Sequence, residues 1–214
     1  LRLGRGSPAR ADAAARRALE ADEYLIEAPL VIEQLYRAAF ALARMDSASA
    51  WCARGAARFP DEWRFVDCQL TMMAVSGGDH PDPARAWQLQ EQVSQLDPPD
   101  AARASGRPYY PLYRRLAVAG VLARAGLRDS ARAVLESVRR DVGTDGALAR
   151  SFFYDEAALR YLLNDPADTV LALLARYVHE NPRYREYLRN DVHFGKLRRD
   201  SRYQALLRDP SIGR

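Results

Sequence analysis

The stretch from Tyr113 to Arg140, YRRLAVAGVLARAGLRDSARAVLESVRR, constrains the fold more than any other part of the chain. Its first half, Leu116 to Ala125, is apolar on almost every side, the pattern of a helix buried between neighbours. Gly126-Leu127-Arg128-Asp129 interrupts it, and Gly126 suits the left-handed conformation that ends a helix. Asp129 or Ser130 is then placed to cap a second helix. In that helix Ala131, Val134, Leu135 and Val138 fall on one face, with Arg132, Glu136, Arg139 and Arg140 on the other. The reading is an antiparallel helical hairpin with small residues where the two helices approach.

Similar punctuation recurs along the chain. Pro29 suits a first turn, followed by Leu35, Ala38, Ala39 and Leu42 on one face. Asp46-Ser47 opens a second helix carrying Ala48, Trp51, Cys52, Gly55, Ala56 and Phe59, which Pro60 ends. Asp61 is placed to cap the next, with Trp63, Val66, Cys68, Leu70, Met73 and Val75. After the Gly/Asp/Pro loop 77–83, a helix over 84–96 turns Ala86, Trp87, Leu89 and Val93 inward. Residues 97–108 read as an excursion. Beyond a turn at Gly143-Thr144-Asp145-Gly146, Tyr154, Ala157, Ala158, Tyr161 and Leu162 mark a helix. Asn164-Asp165-Pro166 turns it into one carrying Val170, Leu174 and Tyr177, and helices over 184–188 and 194–207 close the chain. No alternation of apolar and polar residues competes as a strand.

This pattern resembles the tetratricopeptide repeat, in a degenerate bacterial form. Ala119 and Leu122 match the small and bulky positions of its first helix, Gly126 its turn, and Ala131 and Leu135 the positions of its second helix. Phe59-Pro60 and Leu96-Asp97-Pro98 stand where such repeats close, and FGKLRRDSRYQALL resembles a closing segment in which Phe194, Leu197, Tyr203 and Leu207 cap the last open face. The resemblance implies an all-α fold: a right-handed α-solenoid of about four antiparallel hairpins with extra terminal helices. The expected divisions are an N-terminal arm and helix (1–28), the repeat array (29–182) and C-terminal capping helices (183–214). It also implies binding of a protein or peptide partner along a groove.

Charge is uneven. Residues 1–20 carry +3 and residues 183–214 carry +5, leaving the middle at −4. Basic ends on a mildly acidic body suit an acidic partner, and equally suit solvated helix faces. Cys52 and Cys68 lie the same distance either side of Pro60, so helices folded back there bring them level. Two buried thiols are the preferred state, with a disulfide the alternative if the chain is exported. The first residue is Leu1, without a signal-type apolar segment, which fits a removed leader or a piece of a longer chain; an exported location has a slight edge over the cytoplasm.

Chemistry is thin. His179 and His193 have no HExxH or Cys/His cluster around them, and GxSxG, GxxxxGK and GxGxxG are missing. Asp155-Glu156 reads as two acids complementing a helix start rather than as an acid–base pair. No catalytic residue, metal ligand or cofactor site is expected. Tyr109, Tyr110, Tyr184, Arg185, Tyr187 and Arg189 are the candidate contact residues, since aromatics interleaved with Arg suit protein hot spots; the same spacing serves packing between helices, and nucleic acid is the weakest of the three. The expected class is therefore a non-enzymatic interaction scaffold. The alternatives are a self-assembling subunit whose arm docks on a neighbour, and a regulatory domain of a larger signalling protein. No apolar run is long enough to span a bilayer.

Overall fold

The computed structural model describes residues 8–21 and 26–208. Of the N-terminal arm and helix expected over 1–28, residues 1–7 and 22–25 lie outside the described residues. Among those described, all regular structure is helical. The α-helices are α1 (Pro8–Ala21), α2 (Ala28–Ala41), α3 (Met45–Arg58), α4 (Trp63–Ala74), α5 (Pro83–Leu96), α6 (Pro99–Ala104), α7 (Tyr110–Arg124), α8 (Arg128–Val142), α9 (Gly146–Leu162), α10 (Ala167–Glu180), α11 (Arg185–Leu188) and α12 (Ser201–Arg208). Three single 3-10 turns, Pro182–Tyr184, Val192–Phe194 and Leu197–Arg199, lie among the C-terminal elements, and the last two stand where the helix expected over 194–207 begins, so that α12 starts only at Ser201. The excursion after α5 holds the short α6.

Successive helices pack on each other: α2 on α3, α4 on α5, α7 on α8, α9 on α10. In addition α4 packs on α7, and α7 on α9, so these helices form a continuous layer. The mostly apolar α7 sits at its centre and buries Leu116, Val118, Ala119 and Val121 among side chains of α4, α5, α8 and α9. Close approach depends on missing side chains. A Cβ at Gly55 of α3 would overlap the Phe65 ring of α4, and one at Gly120 of α7 would press on Ala74. Beside Gly55, Cys52 and Cys68 join α3 to α4 as a disulfide with Cα atoms 5.9 Å apart, where the sequence prefers two thiols. Closing a loop of that length constrains the unfolded chain by about 3 kcal/mol.

Two kinds of helix end recur. At the ends of α2, α7 and α9 one residue is left-handed: Ala43 (φ 56°), Gly126 (φ 82°) and Asn164 (φ 58°). The next N–H then reaches the carbonyl five residues back, Arg44 to Ala39, Leu127 to Leu122 and Asp165 to Arg160, at 2.9, 2.9 and 3.0 Å. This is the Schellman closure, which satisfies a carbonyl the helix leaves orphaned. The ends of α3, α5 and α10 are different and again alike. Phe59, Asp97 and Asn181 hold φ/ψ near −132/70°, −136/74° and −134/62°. Each precedes a proline, Pro60, Pro98 and Pro182, which drives the residue before it out of the helical region.

Several expected caps differ. α4 starts at Trp63 with Glu62 before it, and α8 at Arg128 after Leu127, neither with a side-chain cap; Asp61, Asp129 and Ser130 do not serve as caps. Trp87 is 45% exposed rather than inward. It lies beside Ala86 in sequence, about 100° round the helix from that buried residue.

The left-handed positions yield a stability test. A Cβ at Gly126 meets nothing within 4 Å, so Gly126→Ala is expected to cost only the conformational term, about 1–2 kcal/mol. Ala43→Gly relieves the same term and gives back part of it as chain entropy, for a net gain of roughly 0.5–1 kcal/mol. Urea unfolding of the two variants checks both signs.

Candidate functional site

The inner faces of α2, α4, α7 and α9 carry polar and aromatic side chains that join helix to helix. Glu33 of α2 takes hydrogen bonds or ion pairs from Arg37 at 2.8 Å and from Arg64 of α4 at 3.1 Å. The Arg37 guanidinium donates to the Tyr110 hydroxyl at the start of α7, 3.4 Å away. Thr71 of α4 donates to the Asp67 carbonyl, so the Tyr113 hydroxyl donates to Thr71 Oγ1 at 2.9 Å. Tyr109, preceding α7, donates to Asp155 Oδ2 of α9 at 2.8 Å. Tyr154 donates in turn to Asp191 Oδ2 at 2.7 Å. The last link returns to the start: His193 lies against Phe40 of α2, ring centroids 6.5 Å apart, and edge-on to Tyr154 at 5.9 Å. The inner face thus runs α2, α4, α7, α9, the 192–194 turn, and back to α2.

One residue anchors this ring. Arg114 of α7 is 1% exposed and is the largest fully buried side chain among the described residues. Its Nε donates to Asp67 Oδ1 at 3.0 Å, while Nη2 and Nη1 reach the Asp97 carboxylate and carbonyl at 2.7 and 3.1 Å. Arg107 holds the same Asp97 carboxylate by two bonds of 2.7 and 2.8 Å. Burial alone would raise Asp97, but the two guanidiniums outweigh it and hold the carboxyl below its usual range. At Asp67 burial prevails and keeps it raised, against the pull of Arg114. Trp63 lies under Arg64, Arg107 and Arg114 at 4.7, 4.4 and 5.4 Å, a cation–π arrangement that tolerates desolvated guanidinium better than an aliphatic wall would.

At the other side of the ring Asp155 has no guanidinium on it among the described residues. Burial is the main cause that pushes its carboxyl up, to about 6, and the nearby Asp191 adds to it. Burial also lowers His193. His193 Nδ1 is shielded from water and has no hydrogen-bond partner among the described residues.

The candidate contact residues divide into two places. Tyr109 and Tyr110 belong to the ring. Tyr184, Arg185, Tyr187 and Arg189 lie at the C-terminal edge, where Tyr154, Tyr177, Tyr184 and Tyr187 form a ladder with centroid spacings of 5.3, 6.2 and 5.6 Å. Its outer rung, Tyr187, is 38% exposed. Arg183 covers Tyr184 at 5.1 Å and Arg189 pairs with Glu186 at 3.0 Å. Phe194, Leu197, Tyr203 and Leu207 are buried with Val170, Leu174 and Val178 of α10.

Asp155 and Glu156 are not at a helix start. α9 begins at Gly146, capped by Asp145, and the two acids lie deep within it. Glu156 receives Arg139 and, at 2.7 Å, Arg160. Sequence reasoning missed Trp63, Asp67, Asp97, Arg107 and Arg114 as a unit. The available signal was the Arg114-Arg115 pair opening an otherwise apolar helix. Among the described residues no three His, Cys, Asp or Glu side chains gather as a metal-binding group, and no helix is long and apolar enough to cross a membrane. Comparison with known proteins finds no match among family models, curated proteins or solved structures.

Arg114→Ala leaves Asp67 buried without its guanidinium and Asp97 with Arg107 alone, and is expected to cost about 3–5 kcal/mol near pH 7. Asp97 is depressed in the folded state, so its contribution is present above the ordinary carboxyl pKa and lost as pH falls through the folded value. The gap between wild type and variant should therefore shrink as pH drops below about 4. Urea titrations at pH 7 and pH 3.5 read both the cost and its pH dependence.

Proposed function

We propose that this chain is a non-catalytic protein-interaction module of the tetratricopeptide-repeat kind. In this reading it is a right-handed α-solenoid of four hairpins, α2–α3, α4–α5, α7–α8 and α9–α10, with α1 and the C-terminal segments as end pieces. The observation that carries the reading is the recurrence of two helix-end geometries: left-handed closure after α2, α7 and α9, and the pre-proline break after α3, α5 and α10. Repeats of one supersecondary unit form a continuous core and leave the lining residues free to vary. Within the inner ring, acids, hydroxyls and guanidiniums are engaged mostly with one another, an arrangement suited to holding shape rather than attacking a substrate.

The partner face is the C-terminal edge. Tyr184 and Tyr187 offer large rigid rings at small entropic cost, beside Arg183 and Arg189, the chemistry of protein hot spots. Head-to-tail self-assembly is less favoured. At the C-terminal end Arg208 flanks the apolar groove of Leu171, Ala175 and Leu206, where Arg202 pairs with Asp168 and Asp200, while α1 exposes Arg10 and Arg17 at the other end, so both ends carry arginines rather than complementary charges.

Selection of displayed peptides against the full chain tests the reading. Enriched peptides are expected to lose at least tenfold in affinity on Tyr184→Ala/Tyr187→Ala, with the helical circular dichroism unchanged. Peptides that bind the double variant equally well would remove this edge as the partner face.

A further inference from the structure

We infer that the partner taken by the C-terminal edge is an acidic peptide, one that sets carboxylates on Arg183 and Arg189 around a large apolar side chain lying on Tyr187. The inference rests on the interaction reading above and adds to it the chemistry of the partner.

Three observations carry it. The first is charge. Residues 183–199 hold six basic side chains against two acids, Glu186 and Asp191. Both acids are engaged within the fold. Glu186 pairs with Arg189 at 3.0 Å. Asp191 turns its carboxylate inward: Oδ2 accepts from the Tyr154 hydroxyl at 2.7 Å and Oδ1 from the His193 N–H at 2.9 Å. Arg183, Arg189, Lys196 and Arg199 are exposed. The field outside this edge is therefore positive, which draws in an acidic partner and turns away a basic one.

The second is the way the two arginines next to the tyrosines are held. The Arg183 guanidinium lies over the Tyr184 ring at 5.1 Å. Stacking uses the flat face of a guanidinium and leaves its N–H fork, which matches a carboxylate bidentately. A side chain already resting on a ring also loses less freedom when it binds. Arg189 stands two residues beyond Tyr187, and its pair with Glu186 joins two exposed side chains. Such surface pairs are weak, so an incoming carboxylate can take the place of Glu186.

The third is the ladder itself. Its centroids are 5.3, 6.2 and 5.6 Å apart and its rings are tilted by 45, 34 and 39° from Tyr154 to Tyr187. The rings pack on one another, so the ladder presents its outer rung, Tyr187, rather than a row of open platforms. Single-stranded nucleic acid needs successive faces on which bases stack. One exposed ring between arginines suits a single apolar side chain flanked by acids.

Selection of displayed random dodecapeptides against the full chain, followed by fluorescence anisotropy on synthetic copies of the enriched ones, tests the inference. Peptides that need Tyr184 and Tyr187 are expected to carry a net charge of about −2 or lower, and to bind at least about fivefold more weakly in 300 than in 50 mM NaCl. Arg183→Glu/Arg189→Glu should weaken them at least about tenfold with the helical circular dichroism unchanged, and replacing the peptide's acids by lysine should restore binding to that variant. This exchange of charges is a readout that a merely structural pair of arginines does not move. If the reversed variant does not fold, Arg183→Gln/Arg189→Gln is used, and the salt dependence is expected to fall with it. Peptides that need both tyrosines yet carry no excess of acid, or ignore the loss of the arginine charges, would overturn the inference and leave the interaction reading standing. Peptides indifferent to the tyrosines would overturn both. An oligothymidylate of twelve nucleotides bound more tightly than every enriched peptide would also overturn the inference and assign the edge to nucleic acid.

Discussion

The guanidinium of Arg114 sits out of water between two carboxylates, one on α4 and one at the end of α5, with Trp63 beside it. Such a group is tolerable only if its donors find acceptors, because an unpaired buried charge costs several kcal/mol. That requirement fixes more than one contact. Asp67 must face α7, and the chain must leave α5 so that Asp97 turns both its carboxylate and its carbonyl inward. The pre-proline conformation at Asp97 does this. Arg107, on the far side of α6, then takes up the remaining capacity of the same carboxylate, which is why the excursion between α5 and α7 folds back over Trp63 instead of extending into solvent.

The rest of the inner face extends this logic with weaker links. Tyrosine hydroxyls carry the chain of contacts from α7 to α9 and on to Asp191, and aromatic contacts close it at Phe40 and His193. The helices are thus related twice: by apolar packing between neighbours, and by a polar ring on one side. The disulfide adds a third fastening between α3 and α4, where Gly55 lets the Phe65 ring settle against the backbone. Apolar burial supplies the driving force; the polar ring limits how far the layer can curve, because its last link must return to its first helix.

Much of the helical framework could be read in the sequence, because glycine and proline report backbone conformation directly. Gly126 announces its turn, and Phe59-Pro60 and Asp97-Pro98 announce theirs. Ala43 occupies the same left-handed position as Gly126 with no local sign, since alanine elsewhere favours helix and here takes part in the hydrogen-bonded closure from Arg44 to Ala39. The ring was harder to see. Periodicity singles out neither Asp67 nor Arg114, and Asp155 reads as an acid at a helix start, because polar residues at helical spacing usually form a solvent face. Only the approach of other helices turns that face inward, and this is information about distant partners: Arg114 meets Asp67 and Asp97, and Tyr109 meets Asp155. Trp87 failed the other way. Its size suggested the core, but Ala86, Leu89 and Val93 already define the buried side of α5.

The inner face closes on itself through the contact between Phe40 and His193. Nuclear Overhauser spectroscopy of the full chain with labelled aromatic rings measures it directly. Cross-peaks between the Phe40 and His193 rings are expected together with those between His193 and Tyr154, as centroid distances of 6.5 and 5.9 Å bring ring-edge protons into range. Strong His193–Tyr154 peaks with none to Phe40 would mean an open layer of helices, and the closed ring would have to be abandoned.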